Sequence, residues 1–324
     1  MPAPLDWRRA RLAATRDLTR DVRLLAIEPE GAFVPPTPGC HIQVGVQVDG
    51  RADTRSYSVV DPGRDGLYRV AVKRLATSRG GSRYMWSLAP GARLLVSSPA
   101  NHFELAPGRP HYTLVAAGIG ITPIRSMALA LAEAGAELRL LYAARTRAEL
   151  AFADELGALL GERLDLFVAE EGRRIDLGAV VAAVPTGGEL YLCGPIGLME
   201  AGKRAWALAG RPAASLRFET FGSSGRHATL PFTVRIPRLG LEIRVPENRT
   251  MLDAMEAAGV AMIHDCRRGE CGLCAVRILD ADGVVDHRDV FFSDEEKAAN
   301  AKLCTCVSRL PGGVLTIDTA DRAA

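Results

Sequence analysis

Hydrophobic and polar positions alternate with a period of two over much of the first third of the chain. The pattern covers residues 22–27, 41–48 and 68–72, and Gly and Pro residues interrupt it between these segments. Such alternation predicts half-buried β-strands, and the dipeptide Asp49-Gly50 is typical of a tight hairpin turn between two of them. We therefore predict a small antiparallel β-barrel in this part of the chain.

The pattern changes at Tyr112, where short apolar runs begin to alternate with segments of helical periodicity. Predicted strands cover residues 112–117, 138–143, 164–168 and 189–193. Predicted helices cover residues 124–132 and 148–160, with a third near 180–181. Strands that alternate with helices predict an α/β domain with a doubly wound parallel sheet.

A third pattern follows residues 221–227, which have the Gly- and Ser-rich composition of a linker. Residues 232–236 and 241–245 alternate like a hairpin, and Thr250 is placed to cap an amphipathic helix. A hairpin, a helix and the cysteine-rich loop that follows predict an α+β domain of the β-grasp type. The chain is thus predicted to be multidomain, with domains at residues 1–106, 107–222 and 232–324 and a linker at 223–231.

Length and charge narrow the class of protein. A chain of 324 residues exceeds what one hydrophobic core usually serves, which agrees with several domains. Its 40 basic and 38 acidic residues give a net charge of +2, so no footprint of nucleic-acid binding is visible. The longest apolar runs are too short to span a bilayer, and residues 1–10 lack the apolar stretch of a signal peptide. We expect a monomeric, cytoplasmic protein that binds neither nucleic acid nor membrane.

The cysteines carry the strongest chemical signal. Cys266, Cys271 and Cys274 are spaced Cys-x4-Cys-x2-Cys, and Cys304 and Cys306 follow near the C-terminus. Thiolates at this spacing are typical of a plant-type cluster of two irons and two sulfides (2Fe–2S). We therefore predict that such a cluster is held by the first three cysteines and by one of the last two.

Glycines within this loop support the same interpretation. Gly269 and Gly272 let the backbone curl, which brings N–H groups close to the sulfur atoms. A zinc site is the alternative, but zinc sites usually use paired cysteines, and only two close pairs occur here. Disulfides fit less well because seven cysteines is an odd number.

Two segments of the predicted barrel carry groups suited to a phosphorylated aromatic cofactor. The run Arg55-Ser56-Tyr57-Ser58 places a guanidinium, an aromatic ring and a hydroxyl group on one strand, where alternate positions share a face. A guanidinium can hold a phosphate bidentately, and an aromatic ring can stack on a flavin. Residues 78–82 place two glycines between hydroxyl side chains, which can form a nest of N–H groups for a phosphate, although a plain Gly-rich turn has the same composition.

A glycine-rich turn joins the first predicted strand and helix of the middle third. Residues 118–123 read Gly-Ile-Gly-Ile-Thr-Pro, and the N–H groups of a helix that follows such a turn can bind a pyrophosphate. The six-residue dinucleotide fingerprint itself is absent. Cys193-Gly194-Pro195 follows the last predicted strand, at the carboxyl end where such sheets bind ligands, although a lone cysteine there is usually a packing residue.

Taken in order along the whole chain, these motifs resemble the phthalate dioxygenase reductase family, and within it the vanillate demethylase reductase subunits. Four further segments carry the resemblance: residues 218–221 (Phe-Glu-Thr-Phe), 286–289 (Asp-His-Arg-Asp), 293–297 (Ser-Asp-Glu-Glu-Lys) and 306–309 (Cys-Val-Ser-Arg). It implies a flavin-binding barrel, a nicotinamide dinucleotide domain and a C-terminal ferredoxin domain. It also implies FMN, favoured over FAD, together with NADH and a 2Fe–2S cluster as cofactors.

The resemblance assigns residues to each cofactor. Those implied for FMN are Arg55, Tyr57, Ser58, Lys73, Gly80, Gly81, Ser82 and Phe221, with the Ser58 hydroxyl near flavin N5 and Lys73 and residues 80–82 at the phosphate. Those implied for the dinucleotide are Gly118, Gly120, Thr122, Pro123, Gly194 and Pro195. The implied catalytic residues are Ser58 and Cys193, the latter beside the nicotinamide carbon that releases hydride.

Two cysteines compete for the fourth ligand position. Between Cys274 and Cys304 lie 29 residues (275–303), the usual plant ferredoxin interval, whereas 31 residues (275–305) precede Cys306. The segment that begins at Cys306, followed by residues 314–318, matches the family's closing ligand and last strand. The implied ligands are therefore Cys266, Cys271, Cys274 and Cys306, with the two extra residues absorbed by a longer hairpin at residues 280–283.

The implied function is that of a reductase component of a multicomponent oxygenase, of the Rieske type that oxidises aromatic compounds or removes O- or N-methyl groups. Electrons would pass from NADH through FMN to the cluster, and then to a separate terminal oxygenase. Two alternatives stay open: a reductase for another acceptor such as a cytochrome P450, and a non-catalytic iron–sulfur electron carrier. NADPH also stays open as the donor, since Arg145 and Arg147 follow the second strand of the nucleotide domain, where a basic residue can accept its 2′-phosphate.

Overall fold

A computed structural model describes residues 6–75, 80–221, 227 and 229–319. The chain divides into two compact units, one ending at Glu219 and the other beginning at Thr220. Residues 78 and 79 of the predicted phosphate turn, and most of the predicted linker, lie outside the described residues. None of the helices in the described part of the chain is long and apolar enough to cross a bilayer.

The first unit opens with a curled antiparallel sheet of six strands. They are β1 (Trp7–Asp17), β2 (Val22–Pro29), β3 (His41–Val48), β4 (Arg51–Ser58), β5 (Tyr68–Lys73) and β6 (Arg93–Ser97), in the order β4-β3-β6-β1-β2-β5. A bridge between Val59 and Val70 brings the two edges of the sheet together. The turn between β3 and β4 is the predicted one, with Asp49 and Gly50 both at positive φ. The helix α1 (Gly81–Ser87) lies between β5 and β6.

The same unit continues with a parallel sheet of five strands. They are β7 (Tyr112–Ala117), β8 (Leu138–Ala144), β9 (Leu164–Val168), β10 (Glu189–Cys193) and β11 (Leu216–Glu219), in the order β11-β10-β7-β8-β9. The helices between them are α2 (Ile121–Glu133), α3 (Ala153–Leu160), α4 (Leu177–Ala183) and α5 (Ile196–Leu208). The strand order reverses between β7 and β10, which opens a crevice at their carboxyl ends. This confirms the predicted doubly wound domain.

The predicted helix at residues 148–160 is wrong in its first half. Residues 147–149 form a short 3-10 turn, and α3 begins only at Ala153. Phe152 has a φ of 64°, in the left-handed region, which no α-helix can pass through. Its buried ring lies under the Arg125 guanidinium, 4.7 Å from the ring centre, and this contact offsets the strained backbone.

The second unit is an α+β domain with a five-stranded sheet. Its strands are β12 (Phe232–Ile236), β13 (Leu241–Val245), β14 (Ala275–Ala281), β15 (Lys302–Cys304) and β16 (Val314–Asp318), in the order β13-β12-β16-β14-β15, and its helices are α6 (Met251–Ala257) and α7 (Asp294–Ala299). Thr250 caps α6 as predicted, through a reciprocal pair of hydrogen bonds with Asp253. The predicted hairpin at residues 280–283 is in part strand, because Asp280 and Ala281 end β14, which shifts register against β16 after Ile278.

Candidate functional site

The Arg55 side chain lies against the first residue of α1. A Cβ atom on Gly81 would lie 2.6 Å from Arg55 Cγ and 2.8 Å from its Nε, so only glycine leaves room for the arginine. Gly80 has a φ of 90°, which other residues rarely adopt. Ser82 Oγ accepts a hydrogen bond from the N–H of Leu75 at 3.4 Å. Arg55 and residues 80–82 therefore form a cradle that fits an FMN phosphate, and we call it the Arg55 cradle.

The face of β4 that carries Arg55 differs from the one that carries Ser58. Asp53, Arg55 and Tyr57 are half-buried on one face, and Arg55 Nη1 lies 2.7 Å from Asp53 Oδ2. Ser58 is buried on the opposite face, because adjacent strand residues point to opposite sides. From the sequence we expected the guanidinium, the ring and a hydroxyl group on one face of the strand. In the structure the Ser58 hydroxyl lies on the other face.

Lys73 was predicted to reach the flavin phosphate, but its ammonium group has other partners here. Lys73 Nζ lies 3.2 Å from Asp21 Oδ2 and 3.6 Å from Glu149 Oε2. These carboxylates neutralise the ammonium group and tie β5 to the segment after β8. Arg55 is paired with a carboxylate in the same way, so the predicted place of Lys73 at the flavin phosphate stays a prediction.

The predicted dinucleotide residues meet at the crevice between β7 and β10. A Cβ atom on Gly120 would lie 2.2 Å from the carbonyl oxygen of Cys193 and 2.8 Å from the nitrogen of Gly194, so the two turns touch backbone to backbone. Gly118 has a φ of 55°. Thr122 Oγ1 donates a hydrogen bond to the carbonyl oxygen three residues earlier at 3.0 Å, which closes the first turn of α2. A short 3-10 turn at residues 118–120 leads into α2, and the N–H of Ile121 donates to the carbonyl oxygen of Gly118. The start of such a turn fits a pyrophosphate.

The side chains around this crevice differ in exposure. Pro123 is buried in the first turn of α2, where a missing N–H costs no hydrogen bond, and Pro195 is exposed just before α5. The Cys193 side chain is fully buried at the end of β10. Its predicted place beside the nicotinamide therefore stays a prediction. Phe221 is half-buried at the start of the second unit. Its predicted contact with the flavin also stays a prediction.

The predicted cluster ligands converge in the second unit. A hydrogen bond joins the thiols of Cys266 and Cys271, and another joins those of Cys274 and Cys306. Cys306 is also near enough to Cys266 for their charges to interact. Cys304 contacts Cys274 as well, but it belongs to β15 and pairs there with β14. The contacts of Cys306 with both pairs support it as the fourth ligand.

Backbone N–H groups of the loop point at these sulfur atoms. The N–H groups of Arg268 and Glu270 each donate to Cys266 Sγ at 3.4 Å, and that of Gly269 donates to Cys306. Gly269 has a φ of 76°, and a Cβ atom there would lie 2.6 Å from the side chain of Val307. Donors aimed at the thiols and a backbone that excludes a Cβ atom fit a 2Fe–2S cluster.

Cys266 contacts Cys271, and Cys274 contacts both Cys304 and Cys306. Across the described residues, no three His, Cys, Asp or Glu side chains gather tightly enough to hold a single metal ion. Hydrogen bonds from Cys304 and Cys306 lower the pKa of the Cys274 thiol. The same bonds, together with burial, raise the pKa of each donor thiol.

Sequence reasoning missed how the cluster loop is fastened to α6. Arg267 has a φ of 52°, unusual for arginine, and its guanidinium lies 2.8 Å from Asp253 Oδ1 and 2.7 Å from Glu256 Oε2. Asp253 and Glu256 are three positions apart on α6 and so share a face. This spacing is the sequence signal that could have indicated a basic partner. Glu270 fastens the other side of the loop by accepting a hydrogen bond from the N–H of Thr220 at 2.8 Å.

Comparison with known proteins places this combination of sites in one family. Residues 234–311 match the 2Fe-2S iron-sulfur cluster binding domain, and residues 114–204 match the oxidoreductase NAD-binding domain. The phenoxybenzoate dioxygenase subunit beta of Ectopseudomonas oleovorans is 39% identical over 88% of this chain and 88% of that protein. Phthalate dioxygenase reductase of Burkholderia cepacia is 33% identical over 96% and 97%. The chain belongs to the phthalate dioxygenase reductase family.

Solved structures agree with this membership. A structure of phthalate dioxygenase reductase, described as modular for electron transfer from pyridine nucleotides to [2Fe-2S], matches with a TM-score of 0.76 and 31% identity, over 96% of this chain and 98% of that one. An intact type IV self-sufficient cytochrome P450 monooxygenase matches with a TM-score of 0.67 and 35% identity. That match covers 96% of this chain but only 41% of the longer protein.

Membership fixes the general chemistry of the chain. It is an NADH-dependent oxidoreductase of the type that serves as the reductase component of an oxygenase. The cofactors of the family are FMN, NADH and a 2Fe–2S cluster, and the Arg55 cradle, the β7–β10 crevice and the thiol pairs supply one fitting site for each. Two relatives of the chain are named as a subunit of phenoxybenzoate dioxygenase and as phthalate dioxygenase reductase.

Proposed function

We propose that this chain reduces a Rieske-type terminal oxygenase with electrons from NADH. The observation that carries the proposal is the convergence of Cys266, Cys271, Cys274 and Cys306 under backbone N–H donors, on a chain that also holds a dinucleotide crevice. Bound flavin supplies the conversion of a two-electron hydride into single electrons, and the cluster supplies one-electron transfer.

The protein side chains bind and orient these groups. The Arg55 cradle holds the flavin phosphate through the guanidinium and the N–H groups near Gly81. The start of α2 holds the pyrophosphate of the dinucleotide, and Gly120 lets the turn before α2 lie directly against the backbone of Cys193 and Gly194. We propose that Ser58 donates a hydrogen bond near flavin N5 and that Cys193 packs beside the nicotinamide.

The Rieske type of the partner rests on relatives whose names specify dioxygenases. The second candidate is a cytochrome P450, favoured by the match to the self-sufficient P450 monooxygenase, in which a region like this chain is part of the same protein. The two candidates differ in the acceptor and not in the electron donor.

We further propose three domains with boundaries near residues 106 and 222, and a monomer. A cytoplasmic location is proposed because a 2Fe–2S site needs reduced cysteines, and the seven cysteines, all within the described residues, form no disulfide bond.

The test compares electron acceptors for the holoprotein under steady-state NADH. Ferricyanide can take electrons directly from a flavin, whereas we propose that cytochrome c takes them only after they have passed the cluster. We expect wild-type protein to reduce both, and Cys271→Ser to keep ferricyanide reduction while losing cytochrome c reduction. Equal cytochrome c rates in the two proteins would contradict the proposed path. Purified Rieske and P450 acceptors, supplied separately, then identify the partner class.

A further inference from the structure

Arg147 follows the second strand of the nucleotide domain, but its charge is already engaged. Its Nε lies 2.5 Å from Glu171 Oε1, and its Nη2 donates to Glu171 Oε2 at 2.8 Å, so the carboxylate pairs bidentately with one edge of the guanidinium. Glu170 accepts a hydrogen bond from the backbone N–H of Arg147 at 3.3 Å. Glu171 therefore pairs with the guanidinium of Arg147, and Glu170 accepts a hydrogen bond from its backbone N–H.

The sheet topology places these acids where a dinucleotide ribose binds. Strands β8 and β9 are parallel neighbours, with Ala144 paired to Val168, so the segments after them lie side by side at the carboxyl edge. The N–H of Glu170 donates to the carbonyl oxygen of Arg145 at 3.0 Å and holds the two segments together. Strand β8 adjoins β7, whose end carries the pyrophosphate turn. In doubly wound sheets the end of the second strand is where the ribose 2′ position is recognised.

We propose that Glu170 and Glu171 make this domain reject the 2′-phosphate of NADPH. A 2′-phosphate at this edge needs the Arg147 guanidinium and N–H that the two acids already hold, and it meets two carboxylates of like charge. The ribose of NADH has a 2′-hydroxyl group instead, which can donate a hydrogen bond to a carboxylate. The proposal rests on the proposed NADH-dependent function and adds the residues that set its donor specificity.

The test measures flavin reduction by NADH and NADPH in full-length holoprotein, under anaerobic stopped-flow conditions. The variants are Glu171→Gln and the double variant Glu170→Gln with Glu171→Gln. The matched control is Glu162→Gln, an exposed glutamate just before the amino end of β9, on the edge of the sheet away from the crevice. We expect Glu171→Gln to raise the NADPH-to-NADH efficiency ratio roughly tenfold, the double variant to raise it further, and the control to leave it unchanged.

A third substitution tests the role assigned to Arg147. Adding Arg147→Gln to Glu171→Gln should reduce the gain, because the released guanidinium is then absent and only the relief of like charge remains. An unchanged ratio in Glu171→Gln, an equal gain in Glu162→Gln, or a gain that loss of Arg147 does not reduce would each overturn the proposal.

A binding measurement separates this proposal from the proposed function. Calorimetry with ADP-ribose and with 2′-phospho-ADP-ribose reports ribose recognition without hydride transfer. If wild-type flavin is not reduced by NADH, the proposed function fails. The ratio of the two binding constants, compared between wild-type protein and Glu171→Gln, still tests the role of the two acids. If this ratio is the same in both proteins, the proposal is wrong.

Discussion

At the fourth ligand position, two cysteines two residues apart both reach Cys274. The two cysteines differ in their other contacts. Cys306 also interacts with Cys266 and accepts a hydrogen bond from the N–H of Gly269, whereas Cys304 is the last residue of β15. A 2Fe–2S cluster needs two thiolates on each iron, so a ligand must face both parts of the loop. Interval counting along the chain favoured Cys304, whereas the family resemblance of the segment that begins at Cys306 favoured Cys306, and the spatial contacts support the same choice.

We predict that Cys306→Ser loses the cluster and that Cys304→Ser keeps it. Loss of a cysteine ligand leaves one iron without its fourth protein or sulfide contact, whereas a serine at position 304 changes only a buried packing residue at the end of β15. Iron and sulfide analysis and the visible absorbance of the purified variants measure the outcome. Far-ultraviolet circular dichroism controls for misfolding. Cluster retention in Cys306→Ser with loss in Cys304→Ser would reverse the assignment.

At the scale of elements, the contact between the turn before α2 and the end of β10 shapes the dinucleotide crevice. The two turns approach so closely that Gly120 has no space for a methyl group, and Cys193 and Gly194 form the opposing backbone. This explains a glycine in the turn by packing. It also means that the position of the α2 start, and so of its N–H groups, depends on this one residue.

Gly120→Ala should weaken NADH binding and destabilise the protein. The added Cβ atom must push α2 away from β10, which we expect to cost about 1–3 kcal/mol in the free energy of unfolding. The KM for NADH should rise, and kcat should fall less. The matched control is Gly197→Ala on α5, where a Cβ atom meets nothing within 4 Å and alanine favours the helix. A wild-type KM in Gly120→Ala would contradict the role given to this contact.

The elements also show what sequence patterns could and could not supply. Strands β7, β9, β10, β12 and β13 were predicted with the bounds they have, because apolar runs between turn residues are local signals. The start of α3 was missed because the left-handed Phe152 is supported by Arg125, which is 27 positions away in the chain. The partners of Lys73 were missed for the same reason, since Asp21 and Glu149 meet it only after folding.

At the scale of the whole molecule, the first unit is fastened across its two sheets by charge. Glu155, at the start of α3, forms two salt bridges. Its Oε1 lies 2.9 Å from Nη2 of Arg16 on β1, and its Oε2 lies 2.9 Å from Nη2 of Arg125 on α2. Arg125 also donates to the carbonyl oxygen of Val60 at 2.7 Å, so it links the nucleotide domain to the barrel directly. Burial raises the pKa of Glu155, but the hydrogen bonds from both arginines outweigh it and hold the pKa below its ordinary value.

Glu155→Gln should therefore destabilise the protein in a pH-dependent way. A carboxylate with a lowered pKa in the folded state adds stability above its unfolded pKa of 4.5, and that stability is lost as the pH falls through the folded value. Because the side chain is partly exposed and screened, we expect a loss of about 0.5 kcal/mol at neutral pH. Urea unfolding at pH 7 and below pH 4 measures it. A difference from wild type that is as large at low pH as at neutral pH would contradict this account.

Electron transfer from NADH to a 2Fe–2S cluster on one chain can be followed by rapid-freeze electron paramagnetic resonance after the protein is mixed with one equivalent of NADH without oxygen. We predict that flavin absorbance bleaches and that the rhombic signal of a reduced cluster then grows within the same turnover. NADPH should do the same far more slowly. A cluster that stays oxidised with NADH, while dithionite still reduces it, would show that the first unit does not feed the second.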